Sequence, residues 1–130
     1  MARMETLPIF MKVQSRPCLV VGGGEVASRK VNLLEKAGAS ITVVAPDLHP
    51  ELQQLLVDGR IRHLQAVFDP AQLDGVMIVI AATDDTEVNR VVSHAAQARN
   101  IPVNVVDAPE LCTFIVPSIV DRSPLLVAVS

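Results

Sequence analysis

Short apolar runs alternate along this chain with stretches whose apolar residues recur at helical spacing. "RPCLVV" (16–21) is the first run, entered through a proline, and reads as a strand. From Glu25 to Ala37, Val26, Leu33, Leu34 and Ala37 fall on one helical face, and Gly38 stands where a helix-ending glycine belongs. "SITVV" (40–44) is β-branched and predicts a second strand. Pro50 opens a short helix that stops at Gly59. "IRHLQA" (61–66) alternates and predicts a third strand, nearer an edge; "FDPAQLDG" (68–75) predicts a turn or one helical turn. "VMIVIAAT" (76–83) is the most apolar run and predicts a fourth strand. Val88, Val91, Val92, Ala95 and Ala96 then give a second long amphipathic helix. "PVNVV" (102–106) predicts strand five.

Alternation of this kind implies right-handed crossovers and an α/β, Rossmann-like, doubly wound parallel sheet. The end of the chain breaks the pattern. "TFIVPSIV" (113–120) and "PLLVAV" (124–129) flank "DRS" and predict a C-terminal β-hairpin extension. The organisation expected is a dinucleotide-binding domain over 1–112, followed by the start of another region over 113–130. The stop at Ser130, directly after an apolar run, suggests a piece of a longer polypeptide.

Composition narrows the function. The 130 residues suit one core, and 50% are hydrophobic, with three Phe and no Trp or Tyr. A net charge of −3 gives no overall pull toward nucleic acid or an anionic membrane surface, and stacking platforms for bases are lacking. No apolar run approaches the ~20 residues of a membrane span. Cys18 and Cys112 make no disulfide framework, so a reducing cytoplasm is the default compartment. His49, His63 and His94 are scattered without ligand spacing, and no metal site is expected.

Chemistry concentrates at strand ends. Gly22-Gly23-Gly24-Glu25-Val26-Ala27 matches G-x-G-x-x-A. In a dinucleotide-binding unit Gly22 permits the tight turn, Gly24 leaves room for a pyrophosphate, and Ala27 lets the helix lie close on the sheet. The helix N-terminus offers its unpaired N–H groups to phosphate. Asp47 lies about 20 positions past the glycines, where an acidic residue takes the adenosine ribose, though Ala45-Pro46 displaces it; a solvated loop aspartate is the equal alternative. No arginine closely follows strand two, which favours NAD over NADP; Arg29 and Lys30 remain candidate phosphate contacts. In "AATDDTEVN" (81–89), Thr83 is a candidate for the nicotinamide side, Asp84 with Glu87 has capping-box spacing, and for both Asp84 and Asp85 capping is preferred to catalysis. In "NVVDAPE" (104–110), Asn104 points from within the strand and Asp107 sits just beyond it. Spacing leaves Asp107 either a general base or a turn aspartate introducing Ala108-Pro109.

"GGGEVASRK", "AATDD", "NVVDAPE" and "DRSPL", in that order, resemble the siroheme synthase dehydrogenase/ferrochelatase domain, and the likeness runs from Leu7 to Ser130. The resemblance implies NAD-dependent oxidation of precorrin-2 to sirohydrochlorin, and in many members ferrous iron insertion, a lyase reaction, to give siroheme. It places Asp107 on an aspartate implicated in both steps, and Glu25-Val26 and Pro46-Asp47 on cofactor contacts. It also implies that family members continue into a dimerisation and substrate region, that the full-length protein is a homodimer, and that some members carry a methyltransferase domain. Arg122 becomes a candidate partner for substrate carboxylates, against a plain turn arginine. Two rivals stand beside this reading: a dehydrogenase without chelatase activity, and a non-catalytic NAD-sensing module such as those regulating ion transporters.

Overall fold

The computed structural model describes residues 5–116 in full and, beyond them, the backbone of two strands. Five parallel strands form the sheet: β1 (Pro17–Val21), β2 (Ser40–Val44), β3 (Arg62–Leu64), β4 (Ile78–Ala81) and β5 (Val103–Val105). Their spatial order is β3-β2-β1-β4-β5. The chain runs outward from β1 in one direction and then crosses back to build the other half, so the crevice opens beside β1, where the order reverses.

Period-2 geometry sends alternate residues of each strand to opposite faces. Cys18 and Val20 join Ile41, Val43, Ile78 and Ile80 on one face. Helices α1 (Glu25–Lys36) and α2 (Pro50–Val57) cover it with Ala27, Val31, Leu34 and Leu52. Leu19, Val21, Val79, Ala81, Val103 and Val105 line the other face, covered by α3 (Thr86–Ala98) through Val92 and Ala96, and by Leu73 of a 3₁₀ turn (Pro70–Leu73). With both faces covered, β4 is buried throughout, which is why its run carries no alternation. Each helix ends in a left-handed residue, Gly38, Gly59 or Asn100, and the next amide reaches back to a carbonyl of the last turn: Ala39 to Leu34, Arg60 to Leu55, Ile101 to Ala96.

The expected architecture holds; β2 matches its predicted range and the other four sheet strands are shorter. β3 keeps three residues of the six predicted because, as the edge, it pairs on one side only. Residues 113–116 are not strand. Thr113 instead ties to β5, its hydroxyl accepting from the Val103 amide (2.9 Å) and its amide donating to the Val103 carbonyl (2.8 Å). The hairpin is present: β6 (Ser118–Arg122) pairs antiparallel with β7 (Leu125–Val129), so Asp121 and Arg122 belong to a strand rather than to the turn.

Candidate functional site

The carboxyl ends of β1, β2, β4 and β5 surround a cleft of about 880 Å³. Its floor is the glycine turn, where each glycine answers to a different constraint. Gly22 has φ +127, and a Cβ on it would come 2.4 Å from the Ala82 carbonyl oxygen. Its amide donates to Val44 O (2.9 Å). On Gly23 a Cβ would lie 2.0 Å from the Asp47 carbonyl oxygen, and the Gly23 carbonyl accepts from the His49 amide (2.6 Å). These two are glycine because the protein's own main chain fills the space. Gly24 is different. Its φ of −90 suits any residue, and a Cβ there would meet nothing within 4 Å. The fold does not require glycine at 24, and the bare backbone there leaves open space against which a pyrophosphate can lie. α1 begins here with no side chain capping it, so its first-turn N–H groups stay available to an anion. Ala27 is fully buried beneath, as close helix–sheet packing needs. A dinucleotide therefore fits the residues present.

Glu25, Val26, Pro46 and Asp47 border the same cleft. Glu25 pairs with Arg29 (3.2 Å) with both side chains about 70% exposed, a contact worth little to stability. Neither Arg29 nor Lys30 borders the cleft. Asp47 is exposed and, among the described residues, its carboxylate has no partner, which leaves it open to a ribose. Beside it His49 caps α2, its Nδ1 accepting from the Glu51 amide (3.3 Å). One wall went unnoticed in the sequence: Ala66, Val67 and Phe68, after β3, line the cleft, with Val67 77% exposed. The available signal was an apolar triplet inside a loop.

After β4, Thr83 reaches the cleft but spends its polar groups inward. Its hydroxyl lies 2.6 Å from Asn89 Oδ1, its amide donates to that same oxygen (3.2 Å), and its carbonyl accepts from Asn89 Nδ2 (3.0 Å). Asn89, buried on α3, thus takes over the pairing that β4 has just ended. The cap of α3 is Asp85, accepting from the amides of Glu87 (3.0 Å) and Val88 (3.3 Å), and not Asp84 as the Asp84/Glu87 spacing suggested. The Thr83 hydroxyl accepts from the Asp85 amide (3.2 Å), adding a tight turn that moves the helix start by one residue. Asp84 is left exposed at the cleft.

After β5, Asp107 has φ +60 in a turn closed by the Ala108 amide on Val105 O (3.3 Å). A left-handed non-glycine residue costs about 1 kcal/mol or more and is tolerated best by Asn and Asp. Among the described residues its carboxylate accepts no hydrogen bond, so no Asx turn is formed, and it borders the cleft. Asn104 is buried, donating to Phe114 O (3.1 Å) and leaning on Cys112 Sγ (3.7 Å); it fastens the following segment to β5 and borders a second hollow of about 320 Å³. Arg122 ends β6, and its side chain lies outside the described residues. Among the described residues no cluster of three His, Cys, Asp or Glu is placed to hold a metal ion, and no helix is long and apolar enough to cross a membrane.

A family model described as "Putative NAD(P)-binding" matches residues 9–118. Over 127 residues the chain is 81% identical to a siroheme synthase of Methylobacillus flagellatus and 59% identical to siroheme synthase 1 of Cronobacter sakazakii. Each match covers 98% of this chain and 27% of the relative, so the chain spans about a quarter of the length of these curated relatives. The solved structure named SirC, precorrin-2 dehydrogenase, superposes with a TM-score of 0.81 at 28% identity, over 96% of this chain and 61% of that one.

Proposed function

We propose, from the premise that this chain belongs to the NAD(P)-binding family whose model it matches over residues 9–118, that it is the NAD-dependent part of an oxidoreductase converting precorrin-2 to sirohydrochlorin. Its likeness to siroheme synthases over 98% of its length, and to a precorrin-2 dehydrogenase in structure, supports the substrate. The observation that carries the reading is that one cleft gathers Gly24, the uncapped start of α1, Asp47 and Asp107.

On this reading each residue takes a role. The Gly22–Gly24 turn and the first amides of α1 take the pyrophosphate, and Glu25, Val26 and Pro46 shape the walls around it. Asp47 accepts from the ribose hydroxyls. Thr83 closes the nicotinamide side with its inner face tied to Asn89. The substrate must lose a hydride and a proton; NAD, when bound, supplies the hydride acceptor. Asp107, its carboxylate free of hydrogen bonds within the described residues, takes the proton. Asn104 holds the wall on which the substrate rests, and Arg122 answers substrate carboxylates.

In the longer protein, residues from 113 onward open the dimerisation and substrate region, two copies form a homodimer, and the same carboxylate assists a ferrochelatase (lyase) step in which ferrous iron is a substrate. The compartment proposed is the cytoplasm, where Cys18 and Cys112 stay reduced, as both are free thiols here.

The test supplies the full-length protein with precorrin-2 and NAD and follows reduced nicotinamide. Asp107→Ala should keep NAD affinity while turnover falls by roughly 10²–10⁴-fold, the range for a lost general base. Unchanged turnover would remove Asp107 from the reaction. Sirohydrochlorin with ferrous iron, without NAD, reads the second step separately.

A further inference from the structure

The second hollow is bordered by Asn104, whose wall the substrate rests on. It lies across the β5 turn from the cofactor cleft, and Val106 and Asp107 border both. The two spaces differ in charge. Glu25, Asp47, Asp84, Asp85 and Asp107 border the cleft, and among its described lining there is no lysine or arginine. The hollow is lined by Lys30, half-buried on α1, together with apolar Ile115 and Val116. Arg29, Arg60, Arg90 and Arg99 each face a carboxylate within 4.0 Å. Among the described residues Lys30 has none, and neither do Lys12, Arg16, Lys36 and Arg62, but of these five only Lys30 borders either space.

The partition between the spaces is firm. Cys112 Sγ accepts from the Val105 amide (3.1 Å), and its S–H is shared between the carbonyls of Val105 (3.2 Å) and Ala108 (3.4 Å). The turn presenting Asp107 is therefore set by the protein and not by either ligand.

We propose that this hollow is the subsite for the carboxylate-bearing edge of the substrate, with Lys30 as its anion anchor, so that a polycarboxylate tetrapyrrole held there faces the nucleotide across Asp107. The inference rests on the reading of the chain as a precorrin-2 dehydrogenase. Asp107 borders both spaces; beyond it the cleft adds the carboxylates of Glu25, Asp47, Asp84 and Asp85, whereas the hollow adds a cation and an apolar wall. Partial burial strengthens that attraction relative to an exposed pair, and the three N–H donors of an ammonium accept a carboxylate from several directions.

The test uses the full-length protein with Lys30→Gln and Lys30→Arg. Lys30→Gln should raise the KM for precorrin-2 and the Kd for sirohydrochlorin roughly 10- to 100-fold, as expected for a lost charge-assisted hydrogen bond. NAD affinity should stay within about twofold, and Lys30→Arg should restore most of the loss. On the unsubstituted protein, the methyl ester of sirohydrochlorin should bind as poorly as the acid binds to Lys30→Gln, an arm that decides even where the variant does not fold. Equal affinity for acid and ester, or an unchanged KM in Lys30→Gln, overturns the inference while oxidation of precorrin-2 by the unsubstituted protein keeps the functional reading intact. A parallel loss of NAD affinity moves Lys30 to the phosphates and overturns it as well. An unsubstituted protein that does not oxidise precorrin-2 fails the functional reading itself and takes the inference with it.

Discussion

At the scale of single residues, Asp107 joins two properties that substitution can separate. It holds a left-handed backbone conformation and a carboxylate that is unpaired among the described residues. Glycine adopts that backbone without steric cost, whereas alanine does not. Asp107→Gly should therefore melt higher than Asp107→Ala, by about 1 kcal/mol of stability, while both variants lose turnover alike. Equal melting temperatures would show that the turn stores no strain. The sequence shows the residue but not this conformation, because Asp before Ala-Pro is compatible with several turns. It equally leaves the partner of Asn104 unseen, since Phe114 O and Cys112 come from a segment ten residues on whose path depends on the Thr113 bridge to Val103.

At the scale of elements, the glycine turn and the start of α3 show what a local pattern reveals and where it stops. G-x-G-x-x-A after an apolar run is legible because each position has a steric reason, and the turn, the helix and the close Ala27 contact all appear. The need for glycine at 23 was not legible: it comes from Asp47, which only folding brings near. Gly23→Ala should cost about 3 kcal/mol or more, because a methyl would overlap main chain that cannot rotate away. Gly24→Ala should cost about 0.5–1 kcal/mol, as a poorer N-cap, and still weaken NAD binding in a calorimetric titration. Loss of folding in Gly24→Ala would contradict the open space beside it. At α3, one-residue uncertainty in a helix start is intrinsic when two aspartates adjoin, and the Thr83 turn decides between them. Asp85→Ala should cost about 1 kcal/mol in chemical denaturation, and Asp84→Ala less than about 0.5 kcal/mol; the reverse order would restore Asp84 as the cap.

At the scale of the molecule, the alternation of runs was enough to read a doubly wound sheet, because burial on both faces leaves near-continuous aliphatic strands such as β4. Strand lengths were less legible, since pairing partners and not local propensity end β3 and β5. Cys18 reports on the whole sheet. It is 2% exposed in β1, and desolvation raises its thiol pKa above the ordinary range, while a backbone hydrogen bond at Ile78 opposes the shift in part. The native state thus keeps a proton that the unfolded chain releases. The stability linked to this group is fully present below the ordinary thiol pKa and is lost as pH rises toward the raised native value. Alkylation of Cys18 should require global opening, and saturating NAD at 100 times its Kd should slow it about 100-fold; rapid labelling of the native protein would contradict that burial. The lacing of the glycine turn has a thermodynamic sequel. Because Gly22 and Gly23 are pinned by Val44, His49 and Ala82 before any nucleotide arrives, the mould is already cast, and the ordering entropy of association falls on the dinucleotide's own rotatable bonds.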